Sequence, residues 1–379
     1  MTPMVNADSG AAVARDQDAR ILVEHQRLPT SGARGVKPFV IDGTQYLAVP
    51  QLSQDMADTP AHMNGGDSDI PALIYRWTGG RFEKDGEFPL PGGEDIDVFH
   101  LGTDDFMITA AIRTGHGPYD YNVDQTLYRR STAGWQPFQT FPGFAAKQWH
   151  FFRIGDRAFL ALAQGVTLGH IEARNPRQSR IFEWDGARFT DFQTLDGQWG
   201  YNWQHFELGG DHFLCYADHV GASGVWKWDG TSFVPYQMIA ETGGRCFRVF
   251  EAENATFLAF ANIQGDTTLH HWDGTRFALH QTLSGPGGRE LCVVRSGPEL
   301  FLVQVNFITG APSAPRTDQM SRIYRWIDRR MELVEEFPTF GGTEAATFEQ
   351  DGNLYLAISN SLTTDVRFRQ DSIIYRFNA

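Results

Sequence analysis

One short aromatic phrase, closing on tryptophan in most copies, returns seven times along this 379-residue chain. It reads IYRW at Ile74–Trp77, LYRR at Leu127–Arg130, IFEW at Ile181–Trp184 and VWKW at Val225–Trp228. LHHW at Leu269–Trp272, a second IYRW at Ile323–Trp326 and IYRF ending on Phe377 complete the set. The last residues of successive phrases lie 44 to 54 positions apart, with a mean of 50. A fixed period of this length marks a stack of small units, each too small to bury its own apolar faces.

Each unit reads as four strands, named A to D. Strand A ends near a Phe (Phe39, Phe99, Phe152, Phe206, Phe250, Phe348), with Val294 in the sixth unit. Seven residues on, strand B carries another aromatic: Tyr46, Phe106, Phe159, Phe213, Phe257, Phe301 and Tyr355. Strand C is the repeated phrase. Trp184-Asp185-Gly186, Trp228-Asp229-Gly230 and Trp272-Asp273-Gly274 follow it as tight turns, which the Asp-Gly pair suggests are type I′. Strand D is the Phe192-Gln193-Thr194-Leu195 type of segment.

Seven four-stranded units stack radially into an all-β, seven-bladed β-propeller, which hides most strand edges. The seventh unit has strands A, B and C (Glu344–Phe377), and the chain then stops. A spare strand stands at the other end, ILVEHQRL over Ile21–Leu28, and it completes the last blade. The expected organisation is a flexible tail over 1–20 and one propeller over 21–379.

Composition narrows the function classes. Acidic residues number 46 against 32 basic, a net charge of −14, which argues against nucleic acid or an anionic membrane as partner. No stretch reaches the roughly 18 apolar residues of a membrane span. The start carries Asp8, Asp16 and Asp18 and does not read as a signal peptide. Three cysteines (Cys215, Cys246, Cys292) make no disulfide framework, so a reduced, cytoplasmic location is the expectation.

The unit resembles the EAR repeat, also called the epitempin or EPTP repeat. The resemblance rests on Tyr75-Arg76-Trp77, Phe88-Pro89-Leu90-Pro91, Phe99 and the strand opening at Phe106, with Tyr46-Leu47-Ala48-Val49 and Tyr355-Leu356-Ala357-Ile358 the clearest copies. It runs from about Ile21 to the C-terminus and departs in unit two (LYRR) and unit six (no strand-A Phe). It implies a binding protein that holds its partner on a propeller, with a cation in the central channel.

Loop lengths point to where recognition sits. The B–C loops are long in units one (about 50–71), two (111–125), three (164–179), six (306–322) and seven (359–372). Alternating strand directions put B–C and D–A loops on one face. Long loops on a rigid scaffold carry recognition. A protein, glycan or small-molecule ligand on that face is expected, with Tyr119 and Tyr121 as exposed aromatic contacts. The run Asn64–Asp69 offers oxygen ligands and glycines but lacks the EF-hand register, and reads foremost as a solvated turn.

Strands A line a propeller's axis, and one parity of their residues is polar. A ring of Lys37, Asp95, Asp97, Gln148, His150, Gln204, Arg248, Glu290 and Glu344 follows. Buried charges pair, bind a cation or line wet space. Asp95, Asp97 and Glu344 are the candidate ligands of a Ca or Na ion. Lys37, Gln148, Gln204, Arg248 and Glu290 are the candidate ligand contacts. The alternative is an enzyme doing acid/base chemistry (cyclisation, isomerisation, elimination or hydrolysis) at the channel mouth, with His150, Asp97 and Glu344 as candidate catalytic groups. No organic cofactor is expected, since no phosphate-cradling glycine loop appears, and no HExxH or Gly-x-Ser-x-Gly motif is present.

Overall fold

Every expected hairpin forms, and each repeat becomes one antiparallel sheet. A computed structural model describes residues 20–379 and contains seven four-stranded sheets. The expected tail over 1–20 lies, apart from Arg20, outside the described residues. Strands A are Lys37–Ile41, Gly93–Leu101, Gln148–Ile154, Gly200–Leu208, Gly244–Ala252, Gly288–Ser296 and Gly342–Gln350. Each lies beside the strand A of the next blade, and the last lies beside the first, so the ring is closed.

Closure uses the spare strand as anticipated. Leu22–Leu28 pairs antiparallel with Ser372–Phe377, Leu22 opposite Phe377 and Leu28 opposite Ser372. The last blade thus takes strand D from the N-terminal end of the described chain and strands A to C from the C-terminal end.

The seven-residue aromatic spacing is a cross-strand pair. Phe39 faces Tyr46, and the same register joins Phe99–Phe106, Phe152–Phe159, Phe206–Phe213, Phe250–Phe257, Val294–Phe301 and Phe348–Tyr355. The six aromatic pairs stack with centroids 5.1–5.6 Å apart and planes within 11–17°. Such pairs add about 0.5–1.5 kcal/mol beyond the area they bury. Trp149 and Trp203 fill the seams between blades and are almost fully buried. They pack as core.

The Trp-Asp-Gly turns differ from the type I′ expectation. Only Gly186, Gly230 and Gly274 have positive φ there, and each loop has four residues. The Asp side chain makes the turn: Asp185 Oδ1 accepts the N–H groups of Ala187 and Arg188, both at 2.9 Å. An Asx-type cap replaces the second left-handed residue. Both central residues do have positive φ at Asp42-Gly43, Gly79-Gly80, Glu253-Asn254 and Asp328-Arg329.

Candidate functional site

The long B–C loops converge on one end of the axis. Leu52 and Met63 of the first loop, Phe307 and Ile308 of the sixth, and Leu362 and Phe368 of the seventh form a common apolar cluster. The sixth loop also contains a short hairpin, Thr309–Ala311 with Ala314–Arg316, that its sequence did not announce. Arg113, only 2% exposed, ties the first loop to the second. Its Nε donates to Ser68 Oγ (2.9 Å), Nη1 to the Asn64 carbonyl (2.7 Å), and Nη2 to Ser53 Oγ (3.2 Å) and the Gly65 carbonyl (2.7 Å). The guanidinium lies 3.7 Å from the Tyr119 ring centre, and Tyr119 donates its hydroxyl to the Gly66 carbonyl.

Between these loops lies a cleft of about 340 Å³. Its walls are Tyr119, Tyr121, Val166, Leu168, His170, Trp199 and Phe307, and its base includes Arg34, Glu94, Lys147, Tyr201 and Arg289. A smaller cavity of about 40 Å³ continues inward at the axis.

The base is a ring the alternation of strand A did not reveal. Counting five residues back from each strand-A Phe (or Val294) gives Arg34, Glu94, Lys147, Tyr201, Arg245, Arg289 and Thr343, and all seven line the inner cavity. In five blades this residue sits in a β-bulge: pairing jumps across Glu94, Tyr201, Arg245, Arg289 and Thr343. A bulge re-aims one side chain, so a period-2 reading assigns it to the wrong face. A signal was present all the same, in the basic residues recurring at one offset from the Phe.

The sequence-derived ring lies mainly one and three residues deeper. Lys37 Nζ pairs with Asp97 Oδ1 at 2.6 Å, and Arg248 Nη2 with Glu290 Oε1 at 2.6 Å. Gln148 accepts the Trp203 N–H at 2.7 Å, and Gln204 donates to the His205 carbonyl at 2.9 Å. His150 Nε2 accepts the His205 N–H at 3.0 Å, and burial depresses its pKa to about 4. Its accessible lone pair is therefore already engaged.

Among the described residues, Asp95 and Glu344 have no basic partner within salt-bridge reach. Asp95 accepts the Trp149 N–H at 3.0 Å and Glu344 the Val36 N–H at 2.7 Å. Burial, then the neighbouring carboxylates, push them up to about 7 and about 8, with Lys37 opposing. Asp95, Asp97 and Glu344 do not come together as a three-donor group. Among the described residues that distinction falls to Asp67, Asp69 and His116, whose donor atoms lie within 4.8 Å of one another at the edge of the first loop. Asp69 there also accepts the Gly115 N–H, and Asp67 the side-chain amide of Gln54.

Comparison with known proteins agrees with the repeat. The EPTP domain model matches residues 22–78, 136–185 and 188–229. A human protein, "Thrombospondin-type laminin G domain and EAR repeat-containing protein", is 29% identical over 126 residues, 33% of this chain and 17% of that protein. Its mouse counterpart is 30% identical over 95 residues, 24% of this chain and 14% of that protein. The chain thus matches under a fifth of either relative's length. The crystal structure of Saccharomyces cerevisiae Sqt1 superposes with a TM-score of 0.57 at 7% identity, covering 94% of this chain and 99% of that one, which speaks to the fold alone. The matched stretches carry the EPTP, or EAR, repeat, and the chain folds as a seven-bladed β-propeller.

Proposed function

We propose that the chain is a binding scaffold that takes a small ligand into the cleft on its B–C loop face. The observation that carries this reading is the convergence of loops from four blades around a space of about 340 Å³. That volume falls at the lower end of the roughly 300–1,000 Å³ of small-molecule sites. Aromatic walls with a few convergent polar groups at the base are the lining such sites have. The narrowness favours a small molecule over the face of a protein. The acid/base alternative draws less support, because His150 is buried and already hydrogen-bonded at Nε2.

A thermal-shift screen of small metabolites, run on the wild type and on Leu168→Trp, tests the reading. Leu168 lines the cleft and is 38% exposed, so the indole fills the space without entering the core. Ligands that stabilise the wild type and leave the variant unmoved support the cleft. Ligands that stabilise both equally contradict it.

A second reading, a Ca or Na ion in the channel, is favoured by one observation: among the described residues Asp95 and Glu344 have no basic partner within salt-bridge reach. Asp97 would not join them, being held by Lys37. Metal analysis of protein purified without chelator decides it. About one ion per chain supports the ion, and none removes it.

A further inference from the structure

We infer that the channel mouth is an oxyanion site: the cationic ring at the base of the cleft grips the carboxylate or phosphate head of a small organic ligand, whose flat or apolar body lies between the loops. This rests on the cleft being the ligand site and names the class of ligand.

The first ground is charge. Four cations (Arg34, Lys147, Arg245, Arg289) and a single carboxylate, Glu94, share one ring inside a protein of net charge −14. Glu94 reaches Arg34 at 3.5 Å and Arg289 at 3.6 Å, longer than a charge-assisted hydrogen bond. Lys147 and Arg245 have no carboxylate within 4.0 Å among the described residues. The deeper carboxylates are engaged elsewhere: Glu290 is held by Arg248, Asp95 accepts the Trp149 N–H and Glu344 the Val36 N–H.

The second ground is unused donors. Arg34 and Arg245 are more than nine-tenths buried, yet among the described residues the Nε of Arg245 has no hydrogen-bond partner and that of Arg34 has only the long 3.5 Å contact with Glu94. Lys147 Nζ reaches only the Ala145 carbonyl (3.1 Å) and Arg245 Nη1 only its neighbour Gly244's (3.1 Å). Buried guanidinium donors are ordinarily satisfied. Both residues line the inner cavity, and the oxygens of a carboxylate or phosphate there would match a guanidinium fork.

The third ground is the surrounding chemistry. The Tyr201 ring centre lies 3.9 Å from the Arg245 guanidinium and 4.8 Å from that of Arg289. Burial pushes the Tyr201 phenol up, but Arg245, Lys147 and Arg289 outweigh it and the net shift is downward. Burial likewise drops the Lys147 ammonium to about 8. The Tyr201 shift is what neighbouring buried cations produce and the Lys147 shift is what burial without a close counter-charge produces, and a bound anion relieves both.

Calorimetric titration at fixed ionic strength tests the site, with inorganic phosphate, phenyl phosphate, benzoate and neutral phenol as probes. Lys147→Gln and Arg245→Gln are the test variants. Arg130→Gln, which breaks a surface pair with Asp42, is the control. Phenyl phosphate or benzoate should bind more tightly than phosphate or phenol alone, and the better of the two identifies the head group. Each test variant should weaken that binding at least tenfold and raise the melting temperature of the ligand-free protein, because it removes an unbalanced buried charge. The control should change neither. Absence of oxyanion binding, binding indifferent to both variants, or variants that melt lower than the wild type would each overturn the assignment. Phenol binding that Leu168→Trp abolishes, without any effect of charge, would remove the anion and leave the cleft. Failure of every probe together with an unresponsive ligand screen would remove both.

Discussion

The side-chain amide of Gln193 holds both backbone groups of Phe233 in the next blade: its Nε2 donates to the Phe233 carbonyl at 2.7 Å, and its Oε1 accepts the Phe233 N–H at 2.9 Å. The contact repeats around the ring as Gln26–Phe82, Gln139–Phe189, Gln237–Phe277 and Gln281–Met331. At the closing seam Glu335 takes the same place and accepts the N–H groups of Ile21 and Leu22. Between blades one and two the position is Gly86, aligned with Ile74 as Gln193 is with Ile181, and no clamp forms. The Gln of the strand-D motif is thus a blade-to-blade fastener for outer strands whose edges would otherwise go unpaired.

Gln193→Ala should cost about 1–3 kcal/mol, because two partly buried backbone groups lose their partners. Gly86→Gln should add roughly 1 kcal/mol by supplying the missing clamp and removing a strand glycine. The glycine has ordinary φ, and a Cβ there meets nothing within 4 Å. Urea unfolding of both variants checks this. A neutral Gln193→Ala would show that the clamps are ornamental.

Stability should peak near pH 6.5. Asp95 and Glu344 bind protons in the folded state up to about 7 and about 8, whereas the unfolded carboxyls have lost theirs by then. Unfolding therefore releases protons, and stability falls as pH rises from 6.5 to 8. On the acid side, burial lowers His150 and His270 to about 4 and His205 and His219 to about 3. The unfolded state then binds more protons, so stability also falls as pH drops from 6.5 towards 4. Melting temperature against pH reads both limbs, and Glu344→Gln should flatten the upper one and steepen the lower one, because the folded carboxyl keeps its proton from its ordinary range up to about 8.

Arg113→Lys should destabilise by about 2–4 kcal/mol, since an ammonium cannot span the donors that the planar fork supplies. The damage should concentrate in the first long loop. Limited proteolysis should then cut within 50–71, a loop held by Arg113 through Ser53, Asn64, Gly65 and Ser68. A variant cut no faster than the wild type would deny Arg113 its organising role.

A chain begun at Pro29 lacks the strand that pairs with Ser372–Phe377. The exposed edge should recruit another copy, so the truncated protein should sediment as oligomers or fail to fold. A stable monomer would show that closure of the last blade is dispensable.

The period, the blade count and the closing strand were all readable, because a repeat constrains the fold independently of any single residue. The Phe-to-aromatic spacing was readable as a number, and its meaning, a stacked cross-strand pair, needed only the hairpin register. Two things were hidden. The Trp-Asp-Gly turns looked like type I′ because dipeptide chemistry does not show that Asp185 caps its loop with its side chain. The channel mouth was missed because alternation along strand A fails at a bulge, and the bulge is what brings Tyr201, Arg245 and Arg289 to the cavity. Asp95, Asp97 and Glu344 were placed on the axis, but the ion pair that takes Asp97 lies between strands far apart in sequence.

The most direct test is a crystal structure of the protein soaked with phenyl phosphate. Density for the phosphate among Arg34, Lys147, Arg245 and Arg289, with the ring towards Tyr121 and Leu168, is the predicted result. Phosphate density elsewhere on the molecule, or an empty cleft at saturating concentration, would contradict the account.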